Sequence, residues 1–162
     1  MKQPWRTLGW AWALPLTLIG FLYVTLFSLL GWYRSRGLRG DALTYELTEK
    51  VPLWLTKAWH RWSGHTIGNV VVLNTNVDTH RGRIVLRHEQ EHVRQSMVLG
   101  VFLPVLYLIA YVGLKFCKHA HPYYDNPFEI DARRAAGQVV DVIGTLRRAI
   151  AEGRIKVPKK NT

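Results

Sequence analysis

Residues 83–100 read RIVLRHEQEHVRQSMVLG, and within them His88, Glu89, Gln90, Glu91 and His92 match H-E-x-x-H. The spacing predicts a helix over 83–100, with Ile84, Val85, Val93, Met97 and the two histidines arranged on an inward face. Side chains four residues apart project from the same side of a helix, so His88 and His92 are placed to hold one metal ion. Glu89 lies about 100° round the axis from His88. There a carboxylate stands near the ion without binding it and takes a proton from water. Two imidazoles and an oxygen ligand suit zinc and leave a position open for water. The plain alternative is a polar helix face on which Glu91 pairs with Arg87 and Arg94.

A catalytic zinc takes a third protein ligand. Position 98, six beyond His92, is Val98, and position 95 is Gln95 in place of glycine, which excludes a metzincin. The next candidate is Glu129 in NPFEIDARR. Asn126 as N-cap, Pro127 at the first helical position and Glu129 at the third also make a near capping box, which needs no metal. Asp131, His119 and His121 are the competing donors.

The path between the two motifs constrains the choice. Residues 97–114 form a second apolar run, interrupted by Gly100 and Pro104 and closed by Lys115. As a straight helix this run climbs roughly 27 Å away from His92, and Glu129 cannot return. A bend at 100–104 lets the chain double back as a helical hairpin and brings residues 120–130 beside the metal. A metal site therefore predicts one transmembrane helix in the chain, not two.

That one helix is at the N-terminus. Residues 8–33 carry no charge, Arg6 precedes them, and Arg34, Arg36 and Arg39 follow. Twenty-six residues exceed the roughly 30 Å of a hydrocarbon core at helical rise. Four of the seven tryptophans (Trp5, Trp10, Trp12, Trp32) flank or enter the segment, as aromatics do at membrane interfaces. The run is long for a cleaved signal peptide and ends in Trp32, Tyr33 and Arg34, with no A-x-A site. A retained, single-pass anchor is expected, with the cationic excess leaning the rest of the chain toward the cytoplasm. The net charge of +11 favours anionic partners, here membrane lipid. No nucleic-acid motif is present.

The remaining elements are expected as a short helix N-capped by Asp41 and running through Leu47, and another opened by Pro52 and carrying Leu53, Trp54, Leu55, Ala58 and Trp59. Residues 67–73 read as one strand. A final helix runs over 128–152 and is ended by Gly153. The single cysteine, Cys117, forms no internal disulfide and reads as a small packed side chain. The fold class is α+β, mainly helical: an anchor and basic flank at 1–40, a metallohydrolase domain at 41–152, and a basic tail at 153–162.

These motifs resemble those of the zincin metallopeptidases of the gluzincin type. The resemblance is to small bacterial peptidase-like proteins in which H-E-x-x-H-x-x-Q is followed by N-P-x-E-x-x-A. The matching residues are His88, Glu89, His92 and Gln95, then Asn126, Pro127, Glu129 and Ala132. The resemblance covers about residues 60–140. It implies a minimal zincin-like domain of strand, motif helix and ligand-bearing helix. Zinc is then bound by His88, His92 and Glu129, with Glu89 as general base. Gly64 to Leu73 resembles the substrate-side strand, and an extended polypeptide would pair along Ile67 to Leu73. A transition-state stabiliser opposite the base falls to Tyr123, Tyr124 or His121. The expected function is a membrane-anchored zinc metallohydrolase, a peptidase. The competing class is a non-catalytic membrane protein in which the metal site or polar cluster only braces the helices.

Overall fold

A computed structural model describes residues 4–54, 56, 63–118 and 120–152. Among them are five helices and one four-stranded sheet. In chain order these are α1 (Pro4–Leu29), β1 (Tyr33–Arg39), β2 (Ala42–Leu47), β3 (Gly64–Ile67), β4 (Val70–Leu73), α2 (His80–Leu99), α3 (Phe102–Lys115), α4 (Pro127–Ala136) and α5 (Val142–Ala151). The fold is α+β. The helix read from Pro52 onward falls largely outside the described residues, as does the basic tail.

The strand order is β1-β2-β4-β3. β1 and β2 form an antiparallel hairpin, β2 and β4 run parallel, and β3 and β4 form a second antiparallel hairpin. The helix expected from Asp41 to Leu47 is a strand instead. In ALTYEL, Ala42, Thr44 and Glu46 are buried on one face while Leu43, Tyr45 and Leu47 are half-buried on the other. That is period-two alternation, with Thr and Tyr favouring extended backbone. The single strand expected over 67–73 is also corrected. Gly68 adopts φ +61° and turns the chain, giving two short strands. A Cβ at Gly68 would stand 2.4 Å from the backbone nitrogen of Thr17, so only glycine lets the turn meet α1 this closely.

Two apolar clusters cover the two faces of the sheet. One gathers Ala42, Val71 and Leu73 with Val77, Val85, Leu86, Val93 and Met97, the last four from α2. The other gathers Tyr33, Val70 and Val72. α1 joins both: Ala13 lies in the first cluster and Val24 in the second. Between them Thr17 Oγ1 accepts the Asn69 backbone N–H at 3.0 Å. Residues 5–29 of α1 are long and apolar enough to cross a membrane.

α2 begins earlier than the sequence suggests, because Thr79 caps it by accepting the Gly82 N–H at 3.0 Å. It ends at Leu99, and α3 leaves at 113° to it across the Gly100–Val101 break, the expected bend. The long final helix is two helices. α4 stops at Gly137, whose φ of +69° ends it in a left-handed cap, and Asp141 caps α5 by accepting the Gly144 N–H. Cys117 is exposed rather than packed, just beyond the end of α3.

Candidate metal centre

α2 carries His88 and His92 on its buried side, and the first turn of α4 carries Glu129 opposite them. Asn126 caps α4 by accepting the Phe128 N–H at 3.1 Å, and Pro127 opens the helix. That cap leaves the Glu129 carboxylate free to turn toward α2. His88 Nε2 lies 3.3 Å from Glu129 Oε2, and His92 Nε2 lies 3.4 Å from Oε1. One ligand atom from each residue falls within 4.8 Å of the others.

The opposite ring nitrogens are already committed. His92 Nδ1 donates to Gln95 Oε1 at 2.9 Å, while Gln95 Nε2 is spent on the Phe128 carbonyl at 3.0 Å. Only an acceptor therefore faces His92, which puts the proton on Nδ1 and the lone pair on Nε2. His88 Nδ1 makes the matching bond to Gln138 Oε1 at 3.0 Å. Glutamine thus holds both imidazoles in the metal-binding tautomer, the outer-shell device that metal-ligating histidines need.

Glu129 Oε2 is buried and has no hydrogen-bond donor within reach, and the Arg133 guanidinium stands 3.7 Å off. A buried carboxylate oxygen without a partner is costly. A cation between the imidazoles and the carboxylate removes that cost. Ligand atoms sharing a tetrahedral zinc at ordinary bond lengths sit about 3.3 Å apart, which matches the two histidine–glutamate distances. The donor set and the spacing fit zinc.

Glu89 is buried beside the triad. Thr66 Oγ1, from β3, donates to Glu89 Oε2 at 2.7 Å. Gly64 packs under the same carboxylate, where a Cβ would stand 2.8 Å from Oε1. Burial pushes the Glu89 carboxyl up, against the pull of His92, His88 and the Thr66 hydroxyl. For Glu129, burial works the same way but is outweighed by the two imidazoles beside it, His88 and His92, which hold it far below the usual carboxylate range. Two carboxylates 40 positions apart in sequence are thereby driven in opposite directions within one site.

Of the three residues read as stabilisers, Tyr123 lies at the site. Burial and the negative charge of the nearby Glu129 carboxylate push its hydroxyl well above the ordinary phenol value, and its ring faces the Arg133 guanidinium. His121 Nδ1 accepts the backbone N–H groups of Tyr123 and Tyr124 at 3.2 Å each, so it organises the turn. The Tyr124 ring lies tilted against His121, and its carbonyl accepts from Arg133. Asp131 is exposed and paired with Arg134 at 2.7 Å, away from the cluster. His119 lies outside the described residues.

Sequence reasoning missed three supports. Gln138 sits just past the Gly137 cap, a position that one continuous helix over 128–152 would turn elsewhere. Thr66 belongs to the unrecognised hairpin. Tyr107, on α3, donates to Glu129 Oε1 at 3.0 Å, and its ring lies along Phe128. Its signal was a hydroxyl within an aliphatic run. The substrate-side strand also needs correction: β4 is paired on both edges, so the edge strand next to Glu89 is β3, Gly64–Ile67. Compared with known proteins, the chain matches no family model, no curated protein and no solved structure.

Proposed function

We propose that this chain is a membrane-attached, zinc-dependent hydrolase of the gluzincin type, acting on polypeptide. The observation that carries the reading is the convergence of two Nε2 lone pairs, each fixed by a glutamine on the far side of its ring, on a carboxylate with one unpartnered buried oxygen. Zinc bound by His88, His92 and Glu129 supplies a Lewis acid that acidifies water and polarises a carbonyl.

The chain's own residues supply the rest. Thr66 fixes Glu89 through Oε2, leaving Oε1 to accept a proton from the attacking water and return it to the leaving amine. Burial raises the proton affinity of Glu89, which suits a group that must both take and give a proton near neutrality. Tyr123, beside Glu129, is the hydroxyl placed to donate to charge developing on a substrate oxygen. β3, at the sheet edge, is the strand on which an extended substrate would align. The apolar α1 is the membrane element, and Arg34, Arg36 and Arg39 directly after it favour a cytoplasmic placement of the domain.

The test is turnover of a quenched-fluorescence peptide library by zinc-loaded protein in liposomes. Glu89→Gln is expected to lower turnover by at least about a hundredfold while retaining zinc. Unchanged turnover in that variant contradicts the mechanism.

A further inference from the structure

α1 is seated on the domain along its whole length. Its buried residues are Gly9, Ala13, Thr17, Gly20 and Val24, a single seam of small side chains at helical spacing. Near the N-terminus, Arg6 pairs with Asp41 at 2.6 Å and Trp10 Nε1 donates to the same carboxylate at 3.0 Å. Midway, Thr17 meets Asn69, and further on Tyr23 meets His65 at 3.1 Å. Just past the C-terminus, the Gly31 carbonyl accepts the Thr48 hydroxyl at 2.7 Å.

The stretch of helix these points bracket, Arg6 to Leu29, is about 35 Å long at 1.5 Å per residue, more than the roughly 30 Å of a hydrocarbon core. A helix that crossed the bilayer in this arrangement would drag the sheet, with Asp41, His65 and Asn69, into hydrocarbon. Ion pairs and open sheet edges are not tolerated there.

The other side of α1 is bulky and bare: Leu18 is 58%, Leu22 72% and Leu26 57% exposed. α3 repeats this. None of its residues is buried, and Val105, Ile109 and Val112 form an exposed stripe. On its half-buried side, Tyr107 reaches Glu129. The midpoint of α3 therefore lies over the metal centre, and at 14 residues, about 21 Å, the helix is too short to cross. The two bare surfaces meet where the rings of Trp12 and Phe102 approach to 6.4 Å.

We propose that α1 lies in the plane of one leaflet instead of crossing the bilayer, with α3 beside it, so that the outer faces of both helices are covered by lipid and the metal centre sits at the membrane surface. This rests on the membrane attachment proposed above, not on the metal. The occupant is lipid because the bare surface is continuous with the helix whose composition suits a membrane, and because the chain carries a net charge of +11 suited to anionic headgroups.

The full-length chain with Cys117→Ser provides a cysteine-free background. Thr7→Cys and Ser35→Cys, at exposed sites near the two ends of α1, are treated with an impermeant maleimide in sealed membrane vesicles of each polarity. Labelling of both from the same side is expected; labelling from opposite sides establishes a crossing and overturns the proposal. Separately, Leu18→Cys and Ile109→Cys carry an environment-sensitive fluorophore in liposomes containing nitroxide lipids. Both are expected to be quenched best by a nitroxide near the headgroups. Deep quenching at Leu18, or no quenching at Ile109 because protein or water covers it, overturns the proposal. Flotation with the liposomes reports attachment independently: a chain that fails to float contradicts attachment itself, whereas the labelling pattern contradicts only the flat placement.

Discussion

α2 and α3 are consecutive helices separated only by Gly100 and Val101, and each inverts what its composition suggests. α2 is rich in Arg, Glu, Gln and His, yet nine of its residues are buried, among them His88, Glu89 and Gln95. α3 is aliphatic and aromatic from Phe102 to Leu114, yet it buries none. Polar side chains enter a core when their partners are built there, and α2 has Gln138, Glu129 and Thr66 waiting for its polar groups. An apolar helix stays outside when it has no water to escape from, which the lipid placement proposed for α3 would supply.

The sharpest way to break this contrast is to truncate one side chain on each helix. Met97→Ala, in the α2 core, is expected to lower unfolding stability by about 2–5 kcal/mol. Ile109→Ala, on the bare stripe of α3, should stay within about 0.5 kcal/mol in detergent while weakening liposome binding. Equal losses from both in chemical denaturation would mean that α3 is core after all. A second contrast concerns supports that never touch the metal. Gln138→Ala is expected to weaken zinc binding by about 10–100-fold, read by competition with a fluorescent chelator. Tyr107→Phe should cost less, on the order of threefold to tenfold, since Glu129 keeps Tyr123 beside it. An effect of Tyr107→Phe larger than that of Gln138→Ala would reverse the assigned order of support.

A third contrast concerns the pH dependence of stability. Burial pushes the His65 imidazole down to about 4. A histidine depressed below its unfolded value leaves the unfolded chain binding more protons, so its stability is present above pH ~6.5 and lost as pH falls toward about 4. His65→Gln should flatten the thermal midpoint over that window relative to the parent. An unchanged acid slope would show that His65 is not neutral in the fold.

Much of this was legible in the sequence because its signals are local. The HEQEH spacing, the Asn126–Pro127 helix start and the Gly100–Pro104 break each need only a few neighbouring residues to read. The strands were hidden for the opposite reason. Asp41 followed by ALTYEL satisfies a helix start as well as a strand, and the parallel pairing of β2 with β4 across a gap of more than 20 residues decides between them. Gly68 and Gly137 were each read through as parts of longer elements, although each stands at positive φ and ends one. Gln138 could not be placed until α4 was cut short. In α1 the overall apolarity masked the seam of Gly9, Ala13, Thr17 and Gly20, because a helix apolar on every face shows little periodicity. The resemblance to gluzincins pointed to the three residues that the fold brings together, but not to the glutamine behind His88 or the tyrosine above Glu129.

The central claim is that His88, His92 and Glu129 hold one zinc. Metal analysis of the detergent-solubilised full-length protein, alongside His88→Ala and Glu129→Ala, tests it most directly. The account predicts about one zinc per chain in the parent, loss in His88→Ala and marked weakening in Glu129→Ala. A parent protein that takes up no zinc after reconstitution, or variants that bind it as well as the parent, would contradict the account.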